Sequence, residues 1–536
     1  MEDLYRCICR VGRAKAETTS EEKTVLGIEQ DPVDVIPGPP DGGYGWIVVL
    51  ASFMCNLMVD GISYSFGVCI SDLVLYYGES KGTTAWVGSI LTGSTMCAGP
   101  LASAFANKFG CRTACITGSI IAAVAFAVSV LCPTITTLMI VYGFIGGIGC
   151  GMIYLPAVVC VGYYFETKRS LATGICVCGS GFGAFAFPPL ATYLINNYGW
   201  KGTNLCFAGI ILTCAIFGSL MKPLELKPTN VTTTIQKVPS KTALSWKNFS
   251  EDPSETETVY NSVLSVDIKN DVIPPLGRKD IFYSGSLTNL KEFQSQESLN
   301  NYRQSVISTS RSKSKQVCLP KSIGDTLSEL LDFSLLKNPV FMVQGISSIF
   351  CMIAFYIPFV YIIESAKIEG IEASNASSLL SLIGIVNTVG RILFGFIADS
   401  PKVDSLLLFN SCISLTAVST VLIPFCHTYV TYFIVSISFG IGISGFMSLT
   451  SVTLVELLGL DKLTNAFGLI ILFRGSAALI GSPMGGALYD ATQSYRFSFF
   501  VAGGLFAVAA AISFATPFFK TKKTVDKDEA LMPINA

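Results

Sequence analysis

Runs of about 20 apolar residues, the length that crosses a bilayer core some 30 Å thick, dominate this chain. They fall near 46–70, 85–106, 114–132, 136–161, 171–195 and 203–221, and again near 339–365, 376–397, 405–424, 429–456, 465–489 and 496–518. The pattern is six, an interruption, and six. Hydrocarbon offers no water to an exposed peptide group, so each run is predicted to be a helix. Composition agrees, with 51% of the 536 residues hydrophobic and only 14% charged. Soluble domains carry about 25% charged residues, so this chain lacks the polar surface to coat a water-soluble body. The predicted fold class is an all-α membrane protein with 12 transmembrane helices, its surface partner the lipid bilayer.

Several function classes fall away at once. A formal net charge of −1 supplies no basic field, so no nucleic acid partner is expected. The one histidine, His427, leaves no basis for a histidine-rich metal site or a Ser-His dyad, and no cofactor or metal is expected. The 18 cysteines are scattered through apolar runs, as at Cys97, Cys150, Cys176 and Cys214. They read as small buried hydrophobes rather than a disulfide framework.

The stretch 222–338 is a different material, rich in Ser, Thr, Asn, Lys and Glu and broken by Pro223, Pro228, Pro239, Pro253, Pro274 and Pro275. It cannot bury enough apolar surface to offset its ordering entropy and is predicted to be mostly disordered, as is 519–536. The chain thus divides into a tail over 1–40, a helical half over 41–221, a loop over 222–338, a second half over 339–518 and a tail over 519–536. The first run lacks the short apolar core and cleavage site of a secretory signal and reads as a span. With both termini cytoplasmic, the outer loops hold only Lys81, Lys201, Lys367 and Arg496 of the 36 basic residues. The positive-inside bias therefore favours that orientation, although much of the excess sits in long segments that count for less.

The halves also repeat. A shift of 294 aligns Gly151 with Gly445, Val158 with Val452, Lys168 with Lys462, Ala172 with Ala466, Gly174 with Gly468, Gly181 with Gly475 and Pro189 with Pro483. Parallel six-helix repeats build the major facilitator fold, whose substrate site lies near mid-membrane between the halves. Glycines crowd the fourth span at Gly143, Gly146, Gly147, Gly149 and Gly151, a spacing that lets helix backbones approach closely in lipid. The run Gly179-Ser180-Gly181-Phe182-Gly183 has the look of a dinucleotide loop, but no strand precedes it, so packing is its role.

Ionisable residues inside spans are costly in hydrocarbon and face a partner or a wet cavity. Four stand out: Asp60, Arg391, Glu456 and Arg474. Arg391 precedes Asp399, which marks the end of its span, by eight residues. That is about 12 Å of helix, close to the middle of the core. A permanently charged guanidinium at that depth suits a carboxylate, which it can grip with two parallel hydrogen bonds; a fixed ion pair with Asp60 or Glu456 is the competing role. Asp60, about 20 Å along the first span, stands as a proton carrier, a counter-ion for a cationic substrate group, or an arginine's partner. Tyr64 lies one turn later on the same face. Arg474, the repeat mate of Ser180, is either a second anion anchor or a member of a buried ion pair. Glu456 and Asp399, near the inner ends of their spans, read as gating or ion-pair residues.

Asp41-Gly42-Gly43-Tyr44-Gly45-Trp46, opening the first span, resembles one signature of the monocarboxylate transporter family. Gly162-Tyr163-Tyr164-Phe165-Glu166-Thr167-Lys168-Arg169-Ser170-Leu171-Ala172-Thr173-Gly174 resembles the second. The resemblance spans both helical halves and little of 222–338. It implies a major facilitator fold, plasma-membrane placement and transport of small monocarboxylates, related organic acids or amino acids, hence no enzymatic activity. Arg391 matches the family's arginine that engages the substrate carboxylate, and Glu456 matches a position that is acidic in the family. Where the proton-coupled lactate carriers have an aspartate this chain has Asn387, and their first-span lysine falls on Tyr64. The resemblance therefore points away from lactate–proton symport and toward the branch handling amino acids, creatine, carnitine or hormones. Some members of the family need a single-span immunoglobulin-type accessory partner for surface delivery, a requirement that nothing in this sequence displays.

Overall fold

The computed structural model describes residues 41–166, 168–222, 280–285, 290, 293, 333–398 and 403–519. Asp399 and both tails lie outside the described residues, as does most of 222–338. The described residues hold helices and no strand. In chain order these are α1 (Gly45–Tyr77), α2 (Lys81–Cys97), α3 (Gly99–Phe109), α4 (Cys111–Ser129), α5 (Ile135–Tyr164), α6 (Arg169–Leu212) and α7 (Cys214–Ser219). The second half supplies α8 (Pro339–Ile368), α9 (Ala373–Ala398), α10 (Ser405–Leu422), α11 (Tyr429–Ser448), α12 (Thr450–Leu458), α13 (Leu463–Thr492) and α14 (Tyr495–Phe514).

Ten helical segments among the described residues are long and apolar enough to cross a membrane. Two places depart from the twelve separate runs read in the sequence. The run near 85–106 is divided into α2 and α3 at Ala98, just before Gly99-Pro100, where proline has no N–H to continue the ladder. The runs near 171–195 and 203–221 share one hydrogen-bonded segment, Arg169–Ser219, whose backbone turns at Gly199 with φ 66° and ψ 178°. Only glycine takes that conformation without strain. Phe187 and Phe207 have ring centroids 6.0 Å apart, whereas twenty residues of straight helix would separate them by about 30 Å. The chain folds back on itself at Gly199.

Close glycine packing draws the helices together. Gly143, Gly147 and Gly151 sit over the carbonyls of Val87, Leu91 and Thr95, four residues apart on each helix. A Cβ on Gly147 would stand 2.6 Å from the Leu91 oxygen. The glycine-rich run of α6 packs on two sides. Gly179 and Gly183 face the Phe53 and Leu57 carbonyls of α1, while Gly181 faces Gly384 and Thr388 of α9. The repeat is visible in these contacts. Gly475, the mate of Gly181, packs α13 against Gly93 and Cys97 of α2. The shift of 294 also relates two reciprocal capping boxes, Thr134 with Thr137 opening α5 and Thr428 with Thr431 opening α11.

Two stretches within 222–338 are ordered among the described residues, the 3-10 turn Phe333–Lys337 leading into α8 and the segment 280–285. Asp280, Ile281, Phe282 and Tyr283 are buried among the helices. An apolar triplet next to a carboxylate has a docking site there, which the average composition of the loop conceals.

Candidate substrate site

Six helices bring polar side chains together between the two halves. α1 supplies Asp60 and Tyr64, α5 supplies Tyr154, and α6 supplies Ser180. α8 adds Tyr356, α9 adds Asn387 and Arg391, and α13 adds Arg474. Asp60, Tyr64, Tyr154 and Tyr356 all lie within electrostatic reach of Arg391, and Ser180 stands beside Asp60. Tyr154 and Tyr356 also reach Arg474.

Arg391 is 7% exposed. Its Nε donates to Asn387 Oδ1 at 3.0 Å and its Nη1 donates to the Val177 carbonyl at 3.2 Å. The i,i+4 spacing puts Asn387 on the same helix face, where a neutral amide steers the guanidinium without cancelling its charge. Asn387 Nδ2 is buried with no hydrogen-bond partner, a condition that costs about 1–3 kcal/mol unless another polar group meets it. Arg474 Nη2 donates to Thr450 Oγ1 at 2.8 Å, its guanidinium carbon lies 4.4 Å from the Phe446 ring centroid, and its Nε is buried without a partner. No carboxylate of the described residues lies within 4.0 Å of either guanidinium. Asp60 is within electrostatic reach of Arg391 but not in direct contact with it. Glu456 is exposed near the end of α12 and makes no pair with Arg391.

Aromatic rings wall the cluster. Tyr64 stacks on Phe359 at 4.8 Å and on Tyr356 at 6.2 Å, and one turn further along α1 the Gly67 backbone presses against Val360. Beyond that wall the halves are clasped again. Asp490 accepts from the backbone N–H groups of Lys81 and Gly82 at 3.3 and 2.8 Å, at the electropositive start of α2. Lys81 Nζ donates to the Tyr495 hydroxyl at 2.9 Å and lies 4.0 Å from the Tyr489 ring centroid. His427 is exposed and has its Nδ1 2.9 Å from Glu369 Oε2.

Asp60, Tyr64, Asn387, Arg391 and Arg474, singled out in the sequence, meet here. Tyr154, Tyr356, Phe359 and the Asp490 clasp were not foreseen. A signal for the two tyrosines existed. Each stands two residues before a proline inside its helix, in Tyr154-Leu155-Pro156 and Tyr356-Ile357-Pro358, where the ladder is broken and a polar side chain has reason to face a cavity.

Residues 49–478 match the Major Facilitator Superfamily model. The chain is 30% identical to human monocarboxylate transporter 14, covering 91% of this chain and 94% of that protein. It is 30% identical to mouse monocarboxylate transporter 9, over 87% of this chain and 91% of the relative. It is 26% identical to monocarboxylate transporter 2 of Mesocricetus auratus, over 88% and 84%. Likeness at this level along nearly the whole length agrees with the helical repeat and the two motifs. The chain belongs to the monocarboxylate transporter family of the major facilitator superfamily.

Proposed function

We propose that the protein is a secondary carrier, not an enzyme, that moves a small carboxylate-bearing solute across the plasma membrane by alternating access. The solute class is an organic acid, an amino acid or a derivative of one. The observation that carries this reading is Arg391, a permanently charged group buried between the halves with no carboxylate of the described residues within 4.0 Å. A buried charge without a directly bonded counter-ion is costly, and a substrate carboxylate would bind it through two parallel hydrogen bonds. Asp60, beside Ser180 in the same cluster, offers a counter-charge to a cationic group on the solute. Asn387 in place of an acid removes one proton carrier, which favours facilitated diffusion over proton symport.

The test is uptake of labelled organic acids, amino acids and their derivatives into expressing cells, normalised to surface protein. At least one of these solutes should enter faster than in control cells. If none moves while the protein sits at the surface, the carrier reading fails, and a sensor of the same fold takes its place. For orientation, the basic residues favour both termini and the 222–338 loop on the cytoplasmic side. An epitope inserted near Ser310 should then stain only after permeabilisation. Staining of intact cells would reverse the orientation.

A further inference from the structure

The segment Asp280–Gly285 bridges the two halves at the mouth formed by the end of α5 and the starts of α6, α12 and α13. On the first half, Arg169 Nη1 donates to Asp280 Oδ2 at 2.8 Å and to the Asp280 carbonyl at 3.0 Å, and both side chains are fully buried. The same guanidinium donates through Nη2 to the Gly162 carbonyl at 2.7 Å and through Nε to the Phe165 carbonyl at 3.3 Å. Ile281 lies over Gly162, where a Cβ would stand 3.0 Å from its Cδ1. On the second half, the Phe282 ring stacks on Phe467 of α13 with centroids 5.1 Å apart and planes at 23°. Ser284 Oγ and Ser451 Oγ of α12 share a hydrogen bond of 2.6 Å. Phe282 thus stands at the seam of the halves, lining a crevice together with Pro100 and Leu155 of one half and Phe467 and Ile471 of the other.

We propose that Asp280–Ser284 is a gate carried on the loop between the halves, riding on the first half and closing against the second. Alternating access requires the ends of the halves at this mouth to part, and a segment touching both must then release one of them. The two attachments are unequal. Freeing Asp280 would leave Arg169 buried without its charge partner, which is far more costly than separating one ring pair and one hydroxyl pair. The break therefore falls at Phe467 and Ser451, and the strap stays with Arg169. Its contacts with the second half exist only while the mouth is shut, so they bias the carrier toward the closed-mouth state by whatever they contribute there. Weakening them shifts the population toward opening at this side.

Neither readout of the test uses transport, so its outcome is separate from the identity of the solute. The full chain carries Ser284→Cys and Ser451→Cys, with a protease site placed between 300 and 320. After mild oxidation and cleavage, the double variant should run as one band until reduced, and each single variant should split without reduction. Hydrogen exchange on the purified chain then compares Phe282→Ala and Phe282→Leu with the unaltered protein. Phe282→Ala should exchange several-fold faster over 160–166 and 448–468, with no change over 78–84 and 486–495, while Phe282→Leu stays near the unaltered protein. Absence of the cross-link in the double variant would overturn the gate, as would unchanged exchange at the mouth in folded Phe282→Ala. If Phe282→Ala does not fold, exchange of the double variant before and after oxidation decides the same point. The oxidised form should be more protected over 448–468, and equal protection would overturn the gate.

Discussion

Arg391→Ala should abolish transport while the protein still folds and reaches the surface, and Arg391→Lys should weaken it greatly. The guanidinium donates to the Asn387 amide on its own helix and to the Val177 carbonyl of α6, neutral partners that leave its charge for an incoming carboxylate. Losing one charge-assisted hydrogen bond costs on the order of 1.5–3 kcal/mol, or about ten- to a hundredfold in affinity. Lysine retains the charge as a compact point but has no planar fork with which to grip both oxygens. The rival role, a structural pair with Asp60 or Glu456, makes the opposite forecast. On that view Arg391→Ala leaves a carboxylate stranded, the protein misfolds, and Asp60→Asn or Glu456→Gln on the same chain rescues it. Uptake normalised to surface protein in the single and double variants decides between them. Recovery in either double variant would defeat the substrate-anchor assignment.

The parts of this fold that were legible in the sequence are those written locally. Span positions follow from hydrophobicity over about 20 residues. The glycine stripe of α5 announces itself by spacing, and Gly143, Gly147 and Gly151 do pack on the α2 carbonyls. The repeat pairs Gly181 with Gly475, and each packs a helix closely against a neighbour, Gly181 on Gly384 and Thr388 and Gly475 on Gly93 and Cys97. Features that depend on distant partners were not legible. Nothing in the local sequence marks Asp280, whose buried partner Arg169 lies 111 positions away. Ile281-Phe282-Tyr283 is too short a triplet to change the composition of a long polar stretch. The fold-back at Gly199 is marked by one glycine among the 48 of the chain, and only the meeting of Phe187 with Phe207 singles it out. In the site itself, charges were visible because any charge in a span is conspicuous. The tyrosines around them were not, since a tyrosine in a span is ordinary until its neighbours are known.

Asn387→Asp should turn a carrier that is nearly indifferent to pH into one that works only in acid. Asn387 Oδ1 already accepts from Arg391 Nε at 3.0 Å, so a carboxylate at that position would meet the guanidinium at ion-pair distance. Ionised, it occupies the arginine's charge and competes with the solute, and affinity should fall about ten- to a hundredfold. Protonated, it becomes neutral like the amide it replaces, and the arginine is free again. Uptake by the variant should therefore rise steeply as pH falls through the titration of the introduced carboxyl. The unaltered chain has no such group at 387, and a tyrosine at 64, with a reference pKa of about 10, stays neutral. Its uptake should vary little between about pH 6 and 8, whereas obligatory coupling to one proton would allow roughly a hundredfold change, the change in proton concentration itself. Asp60 is the remaining carboxyl of the cluster, facing Ser180, Arg391, Tyr64, Tyr154 and Tyr356. The measurement is uptake at fixed solute concentration from about pH 4, near the reference aspartate pKa of about 3.9, to about pH 8 in the unaltered chain, Asn387→Asp and Asp60→Asn. Steep acid stimulation of the unaltered chain that vanishes in Asp60→Asn would sink the facilitator reading and assign the proton to Asp60. A flat, fully active Asn387→Asp would remove the Asn387–Arg391 pair from the substrate's path.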